Sequence, residues 1–120
     1  MPRTAIAAQT AKGPYEATVS ADELDLTLTA ADVANGNEVA WSGNELLLLV
    51  QNSDATNPYT FTVASVADQY GRTNDITTYS LAAGEIGHYR LRRHGWQQSD
   101  NTLHLDASNA AIKFAVVALP

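Results

Sequence analysis

ELLLLVQN at residues 45–52 is followed by YTFTVASV (59–66), ITTYSL (76–81), IGHYRLR (86–92), TLHLD (102–106) and IKFAVVALP (112–120), with Asn, Asp, Gly and Ser gathered in the gaps. Apolar residues recur in these segments at every second position, which is the period of a strand with one buried face. Turn residues at such short spacing mark antiparallel sheet. The first segment, with its run of leucines, reads as a fully buried central strand and is too short to cross a bilayer. In 59–66, Tyr59, Phe61, Val63 and Ser65 share one face. In 86–92 the inward face is that of Tyr89 and Leu91, opposed by Ile86, His88, Arg90 and Arg92; in 102–106 it is that of Leu103 and Leu105.

Upstream, YEATVSA (15–21) is a candidate first strand, and LDLTLTA (24–30), where Leu24, Leu26 and Leu28 alternate with Asp25 and Thr27, is a clearer second one. Asn35-Gly36 and Ser42-Gly43-Asn44 are turn signals that bracket a short strand or ordered link at 38–41. The piece 30–33 is open to a single helical turn with Asp32 near its start. About eight strands and almost no helix define an all-β chain. The expected architecture is an antiparallel two-sheet sandwich, jelly-roll-like or immunoglobulin-like, whose topology the pattern leaves open.

Residues 1–14 lack periodicity, and Pro2 and the Gly13-Pro14 pair discourage regular structure. They are expected to form an extended N-terminal arm ahead of a single sandwich domain at 15–120. Fully extended, the arm would span ~45–50 Å. It is either a frayed terminus or an arm that orders on a partner. Its removal should leave thermal stability nearly unchanged, and should weaken attachment in the second case. Candidate partner contacts are Arg3, Ile6 and Lys12 in the arm and Tyr15 at its root.

A chain of 120 residues is long enough to bury one core, and the absence of Cys excludes disulfides, thiol catalysis and blue-copper chemistry. The formal net charge of −6 argues against binding nucleic acid, which needs clustered Lys and Arg. The one basic cluster is Arg90, Arg92, Arg93 and His94, read either as a solvated face or as a patch that meets an acidic partner. No signal-peptide core and no membrane-length apolar run is present, so a soluble protein made in the cytoplasm is expected.

No chemistry-bearing motif emerges. His88, His94 and His104 fall at irregular intervals, and only a convergence of His88 with His104 on neighbouring strands would make a metal site. The loop 68–75, DQYGRTND, has oxygen ligands and a glycine but not the spacing of a calcium loop, so its acids are assigned to turns. Neither a G-x-S-x-G elbow nor an S-x-x-K element occurs, and the carboxylates are scattered. The expectation is a non-enzyme without cofactor or metal. The aromatic residues leave a carbohydrate-binding module open; Trp96 either caps the core or stacks on a sugar or a partner.

TAADVANGNEV (29–39), the run from ELLLLVQN through YSLAAGE (45–85), GWQQSDNTLHLDAS (95–108) and the closing IKFAVVALP resemble small structural proteins of tailed phages, in particular capsid decoration (cement) proteins. The resemblance spans residues 28–120, and ADVANGN, DQYGRTNDI and KFAVVALP are its most distinctive pieces. It implies a virion protein, made in the cytoplasm of a bacterial host, that binds the major capsid protein on the outer surface of the assembled head and stabilises the shell. It further implies a homo-oligomer, with a trimer among the options, and neither nucleic acid nor membrane as partner. Another phage component of the head-completion, neck or tail class is the alternative. Arg90, Arg92, Arg93 and Trp96 join the arm residues as candidate contacts.

Overall fold

The alternating segments form two packed sheets in the computed structural model, which describes residues 2–12, 19–21 and 24–119. The strands among these residues are β1 (Thr4–Ala5), β2 (Gln9–Thr10), β3 (Thr29–Ala30), β4 (Asn37–Ala40), β5 (Glu45–Asn52), β6 (Tyr59–Val63), β7 (Ile76–Leu81), β8 (Ile86–Arg92), β9 (Thr102–Ala107) and β10 (Ile112–Leu119). One sheet has the order β1-β4-β9-β6-β7 and the other β2-β10-β5-β8, with β3 also on β10. The fold is an all-β two-sheet sandwich. Its pairings are antiparallel except at the N-terminus, where β1 runs parallel to β4 and β2 parallel to β10.

Period-2 burial is clearest in β5. Leu46, Leu48, Val50 and Asn52 are fully buried between the sheets, while Leu47 and Leu49 are half-buried on the outer face. The strand is central, paired with β10 and β8, but it is not buried on both faces as its leucine run suggests. From the opposite sheet Val39, Leu103, Leu105, Phe61 and Val63 meet this row, and Phe114 of β10 packs edge-on against Phe61 at 6.5 Å. Tyr89 and Leu91 lie opposite Leu48 and Leu46, on the inward face expected for them. One buried side-chain donor, Trp41 Nε1, lacks a partner among the described residues.

The N-terminal segment is extended, as expected of an arm, but it lies along the sandwich. The Thr4 and Ile6 amides donate to Gly36 O (3.0 Å) and Glu38 O (2.8 Å), and the Ala11 amide donates to Ala118 O (2.9 Å). Residues 4–10 thus cross from one sheet to the other and stitch their edges together. Ile6 is 5% exposed within the core. The Arg3 guanidinium pairs with Asp106 at 2.9 Å and lies over the turn at Gly36. Gly36 has φ +77°, and a Cβ there would collide with the guanidinium and stand 2.6 Å from the Asp106 carboxylate, so any other residue would displace this ion pair as well as strain the backbone.

Two other expectations change. The strand expected at 15–21 lies largely outside the described residues, and Val19–Ala21 are not strand. In the strand expected at 24–30 only Thr29–Ala30 pair, and Leu24 and Leu26 are 61% and 46% exposed. Part of the place beside β10 that 24–28 would take, opposite Val117 and Ala118, is filled by β2. The last departure is a bulge in the edge strand β7. Phe61 faces Tyr79 while Val63 faces Ile76, so Thr77 and Thr78 together oppose Thr62. Thr78 adopts φ +46°, a strained value for a β-branched residue, and its amide donates to Thr62 Oγ1 at 2.9 Å.

Candidate functional site

On one side of the sandwich β7 and β8 are the edges of the two sheets, without an outer neighbour strand among the described residues, and residues 82–85 join them. This crossover is held by a buried amide. Asn52, fully buried at the end of β5, donates from Nδ2 to Leu81 O and Asn57 O, both at 2.9 Å, and its Oδ1 accepts from the Asp54 amide at 3.0 Å. Its backbone accepts from Gly84 and donates to Glu85 O, each at 3.0 Å. One residue of the second sheet therefore fixes the end of β7 in the first.

Between these edges the sandwich opens into an apolar groove of ≈ 370 Å³. It is lined by Phe61, Ile76 and Tyr79 from one sheet and by Ile86, Gly87, His88 and Tyr89 from the other. Phe61 and Tyr79 are in ring contact at 5.6 Å. Tyr79, Ile86 and Tyr89 remain 55%, 63% and 41% exposed, and large apolar groups clustered at unpaired strand edges mark an interaction surface.

Tyr89 continues the surface toward a more polar cleft. Its ring meets Trp96 at 5.8 Å, and the cleft is lined by the 65–74 loop on one side and by His94 and Gly95 on the other. Trp96 belongs to a four-residue turn, Arg93–Trp96, in which His94 and Gly95 leave helical backbone angles. The Val66 amide donates to Gly95 O at 2.7 Å, tying turn to loop. Within the loop Asp68 accepts from the Tyr70 and Arg72 amides and pairs with Arg72 Nε at 2.7 Å, while Asp75 accepts from the amide and hydroxyl of Ser65. Asp68 bonds its own turn, as expected from the sequence, whereas Asp75 reaches back ten residues to Ser65 and closes the loop.

The same chemistry sets a pH dependence. Thr4 and Asn35 donors hold the Asp32 carboxyl below its ordinary range; Thr56 and Asn57 amides do so for Asp54, the Arg72 amide for Asp68, Ser65 for Asp75 and Thr102 for Asp100. A carboxyl more acidic in the folded than in the unfolded chain stabilises the fold above the unfolded value of 3.8, and that stabilisation is lost as pH falls through the lowered folded values. Urea unfolding midpoints should be flat from about pH 7 to 5 and fall below about pH 4. A midpoint unchanged down to about pH 2.5 would contradict this.

The residues singled out from sequence are not brought together. Arg3 and Ile6 are used internally, Lys12 is exposed just beyond β2, and Tyr15 lies outside the described residues. Arg90, Arg92, Arg93 and Trp96 stand at the opposite edge of the sandwich. Arg90 and Arg92 project from the outer face of β8 and share Glu45 at 3.3 and 3.2 Å, leaving an exposed excess of positive charge. Arg93 turns away, over the Trp41 ring at 5.7 Å, and donates to Gly43 O. Trp41 and Trp96 are 5% and 8% exposed, so neither offers a face to a sugar; Trp96 caps the core. His88 and His104 lie in different sheets, and among the described residues no group of three His, Asp or Glu side chains converges.

The groove itself was missed. Its signal was Ile86, an apolar residue in the outward row of His88, Arg90 and Arg92, where alternation calls for a polar one. Comparison with known protein families, with curated proteins and with solved structures found no match.

Proposed function

We propose that the protein is a non-enzymatic capsid decoration protein of a tailed phage, which attaches to the outer surface of the assembled head and stabilises the shell. The observation that carries a docking role is the open groove of Tyr79, Ile86 and Tyr89 between two free strand edges. The resemblance in 28–120 supplies the partner, the major capsid protein. A protein that binds only the assembled state stabilises it by mass action, and many copies of a modest apolar contact suffice. The outward row of β8 runs from apolar Ile86 to basic Arg90 and Arg92, which suits an extended acidic segment of the coat. Self-association through this edge would pair two copies, and a trimer would need a second surface besides it.

Tyr79→Ser combined with Ile86→Ser should weaken attachment to purified heads by roughly tenfold or more, the effect of losing an interface anchor. The folded chain should keep its unfolding midpoint, since both side chains are exposed. Unchanged attachment would dismiss the groove as the contact. Counting copies in purified particles tests the larger reading: hundreds per virion fit decoration, about a dozen fit the neck or tail alternative, and none would overturn both.

A further inference from the structure

The edge of β10 is claimed by two segments of the same chain. Gln9 and Thr10 pair with Val117 and Ala118 in parallel, while Ala30 and Thr29 pair with Lys113 and Phe114 in antiparallel. Continuing the second register places Leu28 opposite Ala115, Leu26 opposite Val117 and Leu24 opposite Leu119. β2 occupies the middle of that stretch, at Val117 and Ala118, the positions that Leu26 and Asp25 would take. The two segments fork at Ala115 and Val116, where they leave a cavity of ≈ 330 Å³ bordered by Ala7 and Gln9 on one side and Thr27 and Thr29 on the other.

We propose that residues 24–28 are a second strand for β10, excluded by β2, and that they zip onto its edge when Gln9–Thr10 leave. Three features support this. The segment alternates as a strand yet has no ladder partner, and Leu24 and Leu26 are exposed. Zipped, its leucines would join Ala115, Val117 and Leu119 on the outer face, beside the half-buried Leu47 and Leu49 of β5. The present occupant pairs through only two residues, with the Ala11 amide bonding Ala118 O just beyond them.

Asp25 sets the balance. In the zipped register it would face Ala118 on the core-side row, where Thr10 now sits, and a charge in an inward-facing position of an edge strand disfavours pairing. The N-terminal segment and residues 24–28 are therefore alternative occupants of one site, and release of the first is coupled to ordering of the second. The inference does not depend on what the protein attaches to.

Because the chain has no cysteine, disulfide trapping in the full-length protein reads the two pairings separately. Gln9→Cys with Val117→Cys reports β2, and Leu26→Cys with Val117→Cys reports the zipped strand. Ala11→Pro removes one bond from β2 and should raise the rate of the Leu26–Val117 crosslink by roughly fivefold while lowering that of Gln9–Val117. Asp25→Val leaves β2 untouched and should raise the Leu26–Val117 rate on its own. Far-UV circular dichroism confirms the fold in each variant. If Ala11→Pro slows the first crosslink and neither change speeds the second, the two segments do not compete and the proposal is overturned.

Discussion

Asn52→Ala is expected to lower the stability of the protein by about 3 kcal/mol, an unusually large loss for a polar residue. The side chain is fully buried and makes three hydrogen bonds, two of them to the carbonyls of Leu81 and Asn57. Truncation leaves the Leu81 carbonyl inside the fold without this donor, and an orphaned buried polar group costs about 1–3 kcal/mol on its own. A small cavity at the sheet interface adds to that loss. Urea unfolding monitored by tryptophan fluorescence measures it, and a loss under about 1 kcal/mol would mean that water replaces the amide at little cost. Asn52→Asp separates hydrogen bonding from volume: it keeps the size but has no donor and buries a charge, so it should be no more stable than the alanine variant. Since Asn52 anchors the end of β7, the same change should loosen the wall of the groove that carries Tyr79.

Ile6→Ala should destabilise by about 2–4 kcal/mol, the range for a buried aliphatic truncated in a packed core. Ile6 is 5% exposed among the core side chains, and its amide bonds Glu38. For a free N-terminal arm the same substitution would leave the unfolding midpoint where it was, so one melt decides between the two pictures. It follows that removing residues 1–14 should also destabilise the fold, contrary to what the irregular sequence suggests. Arg3→Ala should cost less, because the Arg3–Asp106 pair is partly exposed and screened.

These two residues also show where the sequence was legible. β5 to β10 could be placed within a few residues because each carries its own period-2 signal between turn residues, and β4 because turn residues bracket it; in 86–92 the signal even gave the correct inward pair, Tyr89 and Leu91. Residues 4–10 carry no such signal. Their pairing is with distant strands, parallel, and two residues at a time, so nothing in TAIAAQT announces it. Leu24 to Leu28 failed in the other direction. The pattern is that of a strand, but a pattern specifies a face and not a partner, and the edge was already taken. The groove was hidden for a third reason: Tyr79 and Ile86 belong to different sheets, and only the crossover held by Asn52 puts them side by side.

The bulge at Thr78 bears on how copies of this protein add to one another. Growth of sheets edge to edge requires a receptive strand on each approaching surface. On this side of the sandwich β8 runs seven residues without a break in its register with β5, whereas β7 is interrupted by an extra residue and a positive φ. An incoming strand therefore finds one regular ladder, that of β8, and not two. Contacts made there pair like with like about a two-fold axis or accept a foreign strand, and either outcome closes the edge after a single addition. Valency on this side is one, so copies added here do not link themselves into fibres.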